Sequence, residues 1–485
     1  MRYNINKNSP ILISPEVELD IQPTTFNLEE GSIRIEFHPH SAKSTKFYTF
    51  EEYSQTFDDN SPPPPISEGN VIHPFRTCGD FEFADLALGA SLNNSQIDAF
   101  LKLLHDVKLG LCDITLKDHA DLSNTYTWEQ AANLKTYWIK KDISPKYTNT
   151  DVRTYEVWHR PIWEWTLDLL SDPILKPQFV WDAQRLYKYN QDHWTRFYDE
   201  PWTGDRWWEI QTALPPNGKP LCYIVYMDKS QLSSFGTAKA YPVIVRLANI
   251  GVKTRNGRGI GGGCFVGWFP IVAEDAQGEG KSCFTNFKRV VWHQSFLQVF
   301  EIIIKYSKLG YPWEIIQAIL SYLFPMILIQ SCNFEEQGMV SATRGTNSNF
   351  PCPICLIPAD QLFNLLQDYP IRTALISEAL VKQARILSRE DGEELLKSYG
   401  LQDIDNGFWS LNHSDPHAAL SFDRLHAHES GLFKDHILIE VKICLDEIGN
   451  RTIAKVNNQL KALPLWHGLN HFDSALSIAF SDGRK

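Results

Sequence analysis

Three groups of residues in this chain have the types and spacing for chemistry. The first is Asp228, which follows the run Tyr223-Ile224-Val225-Tyr226-Met227. A short apolar run rich in β-branched and aromatic residues reads as a buried strand, and a carboxylate at its end is held rigidly enough to ligate a metal ion. The competing reading is a plain turn cap, a common role for Asp. The second group is Cys352-Pro-Ile-Cys355. Two thiolates at this spacing can chelate one tetrahedral Zn²⁺ at about 2.3 Å, but the pair supplies only half a site. The third group, Asp423-Arg-Leu-His426-Ala-His428-Glu429 followed by Lys434-Asp435-His436, offers the missing ligands, and Cys332 is a further candidate. Cys352 and Cys355 with His426 and His436 are one candidate zinc set among these groups. Buried free thiols and surface histidines are the alternative. A redox role for the cysteine pair is disfavoured, because no strand leads into it and no helix starts on it.

The elements around these residues follow from periodicity. Leu221 to Asp228 is a strand, Tyr241 to Ala248 a second, and Cys264 to Ile271 a third, reached through the Gly-rich stretch Gly257 to Gly263. That stretch lacks the G-x-x-x-x-G-K-[ST] of a phosphate loop and reads as a turn between antiparallel strands. Helical spacing follows over Cys283 to Leu309 and Trp313 to Leu323, then a fourth strand over Met326 to Ser331. Three strands, helix, strand is the order of a ribonuclease-H-like core. There, carboxylates ending the first and fourth strands face each other and hold two divalent ions for phosphodiester cleavage.

The chain of 485 residues is too long for one core. Residues 1–70 are rich in Ser, Asn, Pro and Glu and run into Pro62 to Pro65; they read as a poorly ordered tail, with Ile33 to Phe37 as a short strand candidate. Residues 71–215 read as mainly helical and Trp-rich, with helical spacing over Ile97 to Val107 and Trp128 to Trp138. The three Trp of Pro201 to Gln211 fit a core or interface better than a binding platform. No run is apolar enough to span a membrane. Nine widely spread cysteines argue against a secreted disulfide framework. A net charge of −12 opposes indiscriminate nucleic-acid binding, yet Lys229 to Ala273 holds six basic residues and no acidic one. Lys229, Lys253, Arg255 and Arg258 are therefore candidate nucleic-acid contacts.

These features meet in a family resemblance. His73-Pro-Phe, Thr203-Gly-Asp-Arg-Trp-Trp-Glu-Ile-Gln211, Tyr226-Met-Asp228-Lys-Ser-Gln-Leu, Gly267-Trp-Phe-Pro270, Pro351-Cys-Pro-Ile-Cys-Leu-Ile-Pro358, Asp423-Arg-Leu-His426, Gly431-Leu-Phe-Lys-Asp-His436 and Gly468-Leu-Asn-His-Phe472 occur in this order. The chain resembles Plavaka transposases, the fungal branch of the Kyakuja-Dileera-Zisupton DNA transposons, which are distantly similar to CACTA-type transposases. The resemblance implies an α/β (α+β) chain: a ribonuclease-H-like core with a zinc-binding helical insertion, preceded by the mainly helical N-terminal region. Its parts would be the core at 216–350, the insertion at 351–430 and a C-terminal helical part of the core at 431–485. It implies a nuclear protein that cuts and joins DNA at transposon ends with Mg²⁺ or Mn²⁺, beside structural Zn²⁺, without membrane association and with room for a homo-oligomer. Asp228 matches the first metal-binding Asp. Cys352 and Cys355 match the zinc cysteines. Asp423 and His426 match a D-x-L-H motif, with the His assigned to zinc and Asp423 a second catalytic candidate.

The chain also departs from the family pattern. Where an Asp followed by an aromatic is expected after the fourth strand, Asn333 stands before Phe334. A neutral amide cannot replace carboxylate charge on a divalent ion. Glu335 or Glu336 would have to compensate, and Glu429 and Glu440 are candidates for a third carboxylate. Lys455 and Asn457 replace a later acidic pair, and the chain stops early for the family. The function expected is thus that of a degenerate or truncated transposase. The alternatives are a binding-only relic and a zinc-stabilised protein without a nucleic-acid role.

Overall fold

The computed structural model describes residues 29–55, 75–89, 94–115, 138–147, 150–232, 239–257, 261–273, 282–316, 319–364 and 366–462. It is a mixed α/β structure built on a central sheet. In chain order the strands are β1 (Ile33–Phe37), β2 (Lys46–Tyr48), β3 (Ile139–Ile143), β4 (Tyr155–His159), β5 (Gln184–Tyr189), β6 (Trp194–Phe197) and β7 (Gly218–Met227). They continue as β8 (Ser230–Gln231), β9 (Lys239–Ala240), β10 (Pro242–Leu247), β11 (Cys264–Trp268), β12 (Tyr311–Ile316), β13 (Ile319–Cys332) and β14 (Leu420–Phe422).

The central sheet runs β12-β13-β7-β10-β11-β4-β3, with β14 added along β13. β7, β10 and β11 are successively antiparallel, while β13 is parallel to β7 and β14 parallel to β13. Three strands therefore end side by side, with Asp228, Asn333 and Asp423 just beyond their last residues. β7 is central because GKPLCYIVYM has apolar side chains for both faces. Leu221, Tyr223, Val225 and Met227 join the main core, while Cys222 joins a second cluster. The helices Ile162–Ser171, Ser282–Val299 and Glu301–Leu309 cover the first face. The helix Asp205–Ala213 covers part of the other, burying Trp202 and Trp207 as core anchors.

Several expectations need correction. Trp313 to Leu323 is not a helix but most of the β12–β13 hairpin. Tyr311, Trp313 and Ile315 all lie against the core, a period of two that outweighs the helical spacing. The supposed tail is ordered over residues 29–55: the strand candidate Ile33–Phe37 is β1, and with β2 it joins a four-stranded sheet, β2-β1-β5-β6, followed by the helix Phe50–Gln55. Ile33, Ile35 and Leu186 bury together there, enough apolar surface to order short strands. Helices do occur in the next span, at Cys78–Gly89 and Asn94–Lys108. From Ile139 onward, however, two strand pairs, β3-β4 and β5-β6, are separated by the helix Ile162–Ser171. Trp128 to Trp138 lies almost wholly outside the described residues. The helical insertion expected at 351–430 contains the helices Ala374–Ala384 and Arg389–Lys397 around their own small core. Its last part belongs elsewhere: β14 returns to the central sheet and carries Asp423 with it.

Candidate site at the ends of three parallel strands

Asp228 follows β7 directly and is only 8% exposed. Asn333 follows β13 and starts the helix Phe334–Val340 as its N-cap, its Oδ1 accepting from the Glu336 N–H at 2.9 Å. That is the usual capping role of an Asn. The other end of the same amide is aimed at the site: Asn333 Nδ2 donates to Asp228 Oδ1 at 2.8 Å. Asp423 follows β14, and its N–H reaches the Cys332 carbonyl at 3.4 Å.

Tyr226 joins the two carboxylates. Its hydroxyl lies 3.3 Å from Asp228 Oδ2 and 3.4 Å from Asp423 Oδ2. Burial, and then the two carboxylates, push its pKa upward, so the phenol stays a donor. The sequence signal for Tyr226 was its position two residues before Asp228, which places both on one face of the strand. His426 completes the group. Its Nδ1 is 2.6 Å from Asp423 Oδ2, and its Nε2 is 4.0 Å from Asp228 Oδ2. An ionised carboxylate only accepts, so Nδ1 carries a proton here.

A second tier lies beneath. Glu336 is 5% exposed and accepts a short hydrogen bond from the Tyr241 hydroxyl. Tyr241 in turn accepts from Trp292 Nε1 at 2.7 Å. Burial raises the Glu336 pKa to about 7; Lys229 opposes the shift and the Asp228 charge adds to it. Cys332, also buried, is pushed up to about 12. Glu336 therefore does not take over the role expected of an Asp at position 333, because its carboxylate is turned to Tyr241. Glu335 is exposed. Glu429 is bound to Arg424 at 2.7 Å, and Glu440 is exposed on the helix Leu438–Ile448.

Beside Asp423 opens a cavity of about 380 Å³, lined by Asn333, Phe334, Phe422, His426 and His436 among others. His426 and His436 thus border this site, whereas Cys352 and Cys355 sit on a separate loop. Cys352 Sγ accepts the Ile354 and Cys355 N–H groups, each at 3.4 Å. The buried Arg372 holds the loop through its guanidinium, donating to the Cys352 carbonyl at 2.9 Å, Cys355 at 3.3 Å, Tyr399 at 2.6 Å and Phe350 at 3.1 Å. Among the described residues, no group of three or more His, Cys, Asp and Glu is arranged to hold a metal ion. The four expected zinc ligands are not brought together, so this chain's residues do not fit that zinc site. The strand ends differ: they offer two carboxylates, enough for Mg²⁺ or Mn²⁺, which keep several waters and need only one or two protein carboxylates.

The basic candidates separate as well. Lys229 and Lys253 are exposed. Arg255 is buried, pairs with Glu200 at 3.1 Å and donates to the Ile250 carbonyl, so it serves the fold and is removed from the nucleic-acid set. Arg258 lies outside the described residues. No described helix is long and apolar enough to cross a membrane.

A family model described as Plavaka transposase matches residues 119–439. No curated protein matches the chain. The family match spans more than half of the sequence and bears out the resemblance of its motifs: this chain belongs to the Plavaka transposase family.

Proposed function

From that membership we propose that this transposase-derived protein engages DNA at the strand ends bearing Asp228 and Asp423, and that its strand cleavage is weakened by Asn333. The strand order β11-β10-β7-β13-β14, antiparallel and then parallel, supports a ribonuclease-H-like core. The observation that carries the reading is the 2.8 Å bond from Asn333 Nδ2 to Asp228 Oδ1. An amide donor occupies the carboxylate oxygen that an Asp at position 333 would share with a cation.

Asp228 and Asp423 would hold one Mg²⁺ or Mn²⁺ between them. When bound, the ion supplies Lewis acidity toward a phosphoryl oxygen. Tyr226 sets the spacing of the two carboxylates through its hydroxyl. Asp423 orients the His426 ring, whose Nε2 is left facing the site, where it can accept or return a proton. Lys229, next to Asp228 and exposed, is placed to meet a phosphate. A third carboxylate for a second ion is not among the groups gathered here, which favours binding with little cleavage over full transposition. The reading carries with it a nuclear setting.

The test is incubation of the purified chain with labelled transposon-end DNA and Mn²⁺, beside Asp228→Ala. Retention that weakens steeply with salt, with trace cleavage absent from the variant, is expected. No retention even at low salt would refute the reading.

A further inference from the structure

The central sheet carries a row of partly exposed side chains that starts at the candidate site and leads away from it. Tyr226 on β7 is paired with Ile244 on β10, and Ile244 with Phe265 on β11. Cross-strand partners share a face. On the same side, Trp268 of β11 is paired with Trp158 of β4, and Trp158 with Lys140 of β3. Phe265 and Trp268 are three residues apart and would ordinarily point to opposite faces. The pairing register shifts here, with Val243 opposite Gly267 and Ile244 opposite Phe265. One extra residue of β11 is thereby accommodated, the signature of a β-bulge. Val266 is fully buried, and a Cβ on Gly267 would stand 3.3 Å from Val299 of the core helix. Both of these residues face inward, which leaves Phe265 and Trp268 together outside. Their rings stack at 5.9 Å with 13° between planes.

The row is open to solvent: Phe265 is 46% exposed and Trp158 39%. Its cations are Lys140, paired with Glu156 at 2.5 Å, and Arg246, two residues along β10 from Ile244. Arg246 Nε is itself buried and has no hydrogen-bond partner among the described residues, so only the outer end of this half-buried side chain is open to a phosphate. Glu156 also accepts from the Trp158 indole, which holds that ring against the sheet.

We propose that this row is a docking surface for an unpaired DNA strand, whose bases stack on Phe265, Trp268 and Trp158 while Arg246 and Lys140 meet its phosphates. The proposal rests on the DNA-engaging reading above and adds which form of DNA lies beside the site. Two features select this occupant. The partly exposed rings offer π-faces that only unstacked bases can use, since the faces of bases inside a duplex are already covered. The row is also continuous with Tyr226, so a strand lying along it would run toward Asp228 and Asp423.

The test is fluorescence anisotropy with the full chain, using a labelled single strand of about 15 nucleotides and the matching duplex, a length suited to such surfaces. The proteins are wild type, Phe265→Ala, Trp158→Ala, the stacking-competent Phe265→Trp, and Tyr198→Ala as an exposed aromatic just past β6. Phe265→Ala and Trp158→Ala should each weaken single-strand binding about five-fold or more. Phe265→Trp and Tyr198→Ala should bind it as wild type does, and all five should bind duplex alike. Unchanged single-strand binding in both alanine variants, or an equal loss for duplex, would overturn the proposal. Wild type that retains duplex but not single strand would also overturn it and leave the DNA-engaging reading standing. Wild type that retains neither would overturn both.

Discussion

The strand ends and the Cys352–Cys355 loop are the two places where this sequence advertises metal chemistry, and the fold treats them in opposite ways. At the strand ends, Asp228, Asn333, Asp423 and His426 come from far apart in the chain and meet within hydrogen-bond reach. In the loop, two cysteines three positions apart find no further ligand among the described residues and are held by Arg372 instead. Local spacing announces half a site, and topology alone gathers the scattered residues at the strand ends.

Arg372→Ala should have the largest effect, on the loop side of this comparison. Its guanidinium, lowered to about 10 by burial, satisfies four carbonyls that would be left without partners. A loss of roughly 3 kcal/mol or more is expected in urea unfolding, since each orphaned buried group costs about 1–3 kcal/mol. A neutral result would mean that something other than Arg372, such as a metal, holds the loop.

On the other side, Glu336→Gln sharpens the account of the strand ends. The folded pKa of Glu336 is raised to about 7. A raised acid stabilises the fold while protonated, so its contribution is full below about pH 4.5 and is lost as pH rises through 7. The variant should match wild type near pH 5 and exceed it by roughly 2 kcal/mol at pH 8. Parallel stability curves across this range would show that Glu336 does not titrate where the geometry places it. The smallest effect belongs to Cys355→Ser, expected to shift stability by less than about 1 kcal/mol and to leave wild-type and variant chains equally insensitive to a chelator. Unfolding of wild type by chelator alone would restore the zinc reading and erase the contrast.

Much of this was legible in sequence. β7, β10, β11, the helices from 282 to 309 and the end of β13 follow from runs of β-formers and helical periodicity, and Asp228 follows from its place at a strand end. Asp423 is a second catalytic candidate only through the family resemblance, and its contact with His426 beside Asp228 is not legible in local spacing. It depends on β14 pairing in parallel with β13 across the intervening helices, a long-range register that leaves no local spacing. The zinc role expected for His426 comes from the family's D-x-L-H motif, whereas the structure sets its ring against Asp423. Arg255 shows the same limit: its charge is visible in the sequence, but its burial against Glu200 is not. The β12–β13 hairpin was mistaken for helix because its apolar residues suit either period over so short a run.

The most direct test of the central claim is a Mn²⁺ titration by calorimetry of wild type, Asp228→Ala and Asn333→Asp. The Asp keeps the helix cap but replaces the amide donor with a second carboxylate facing Asp228. The account expects Asn333→Asp to bind Mn²⁺ at least about ten-fold more tightly than wild type, and Asp228→Ala to lose binding by more than the roughly 10- to 100-fold that an outlying partner is worth. Equal affinity in all three proteins would contradict it, because Asp228 would then hold no ion and Asn333 would block nothing.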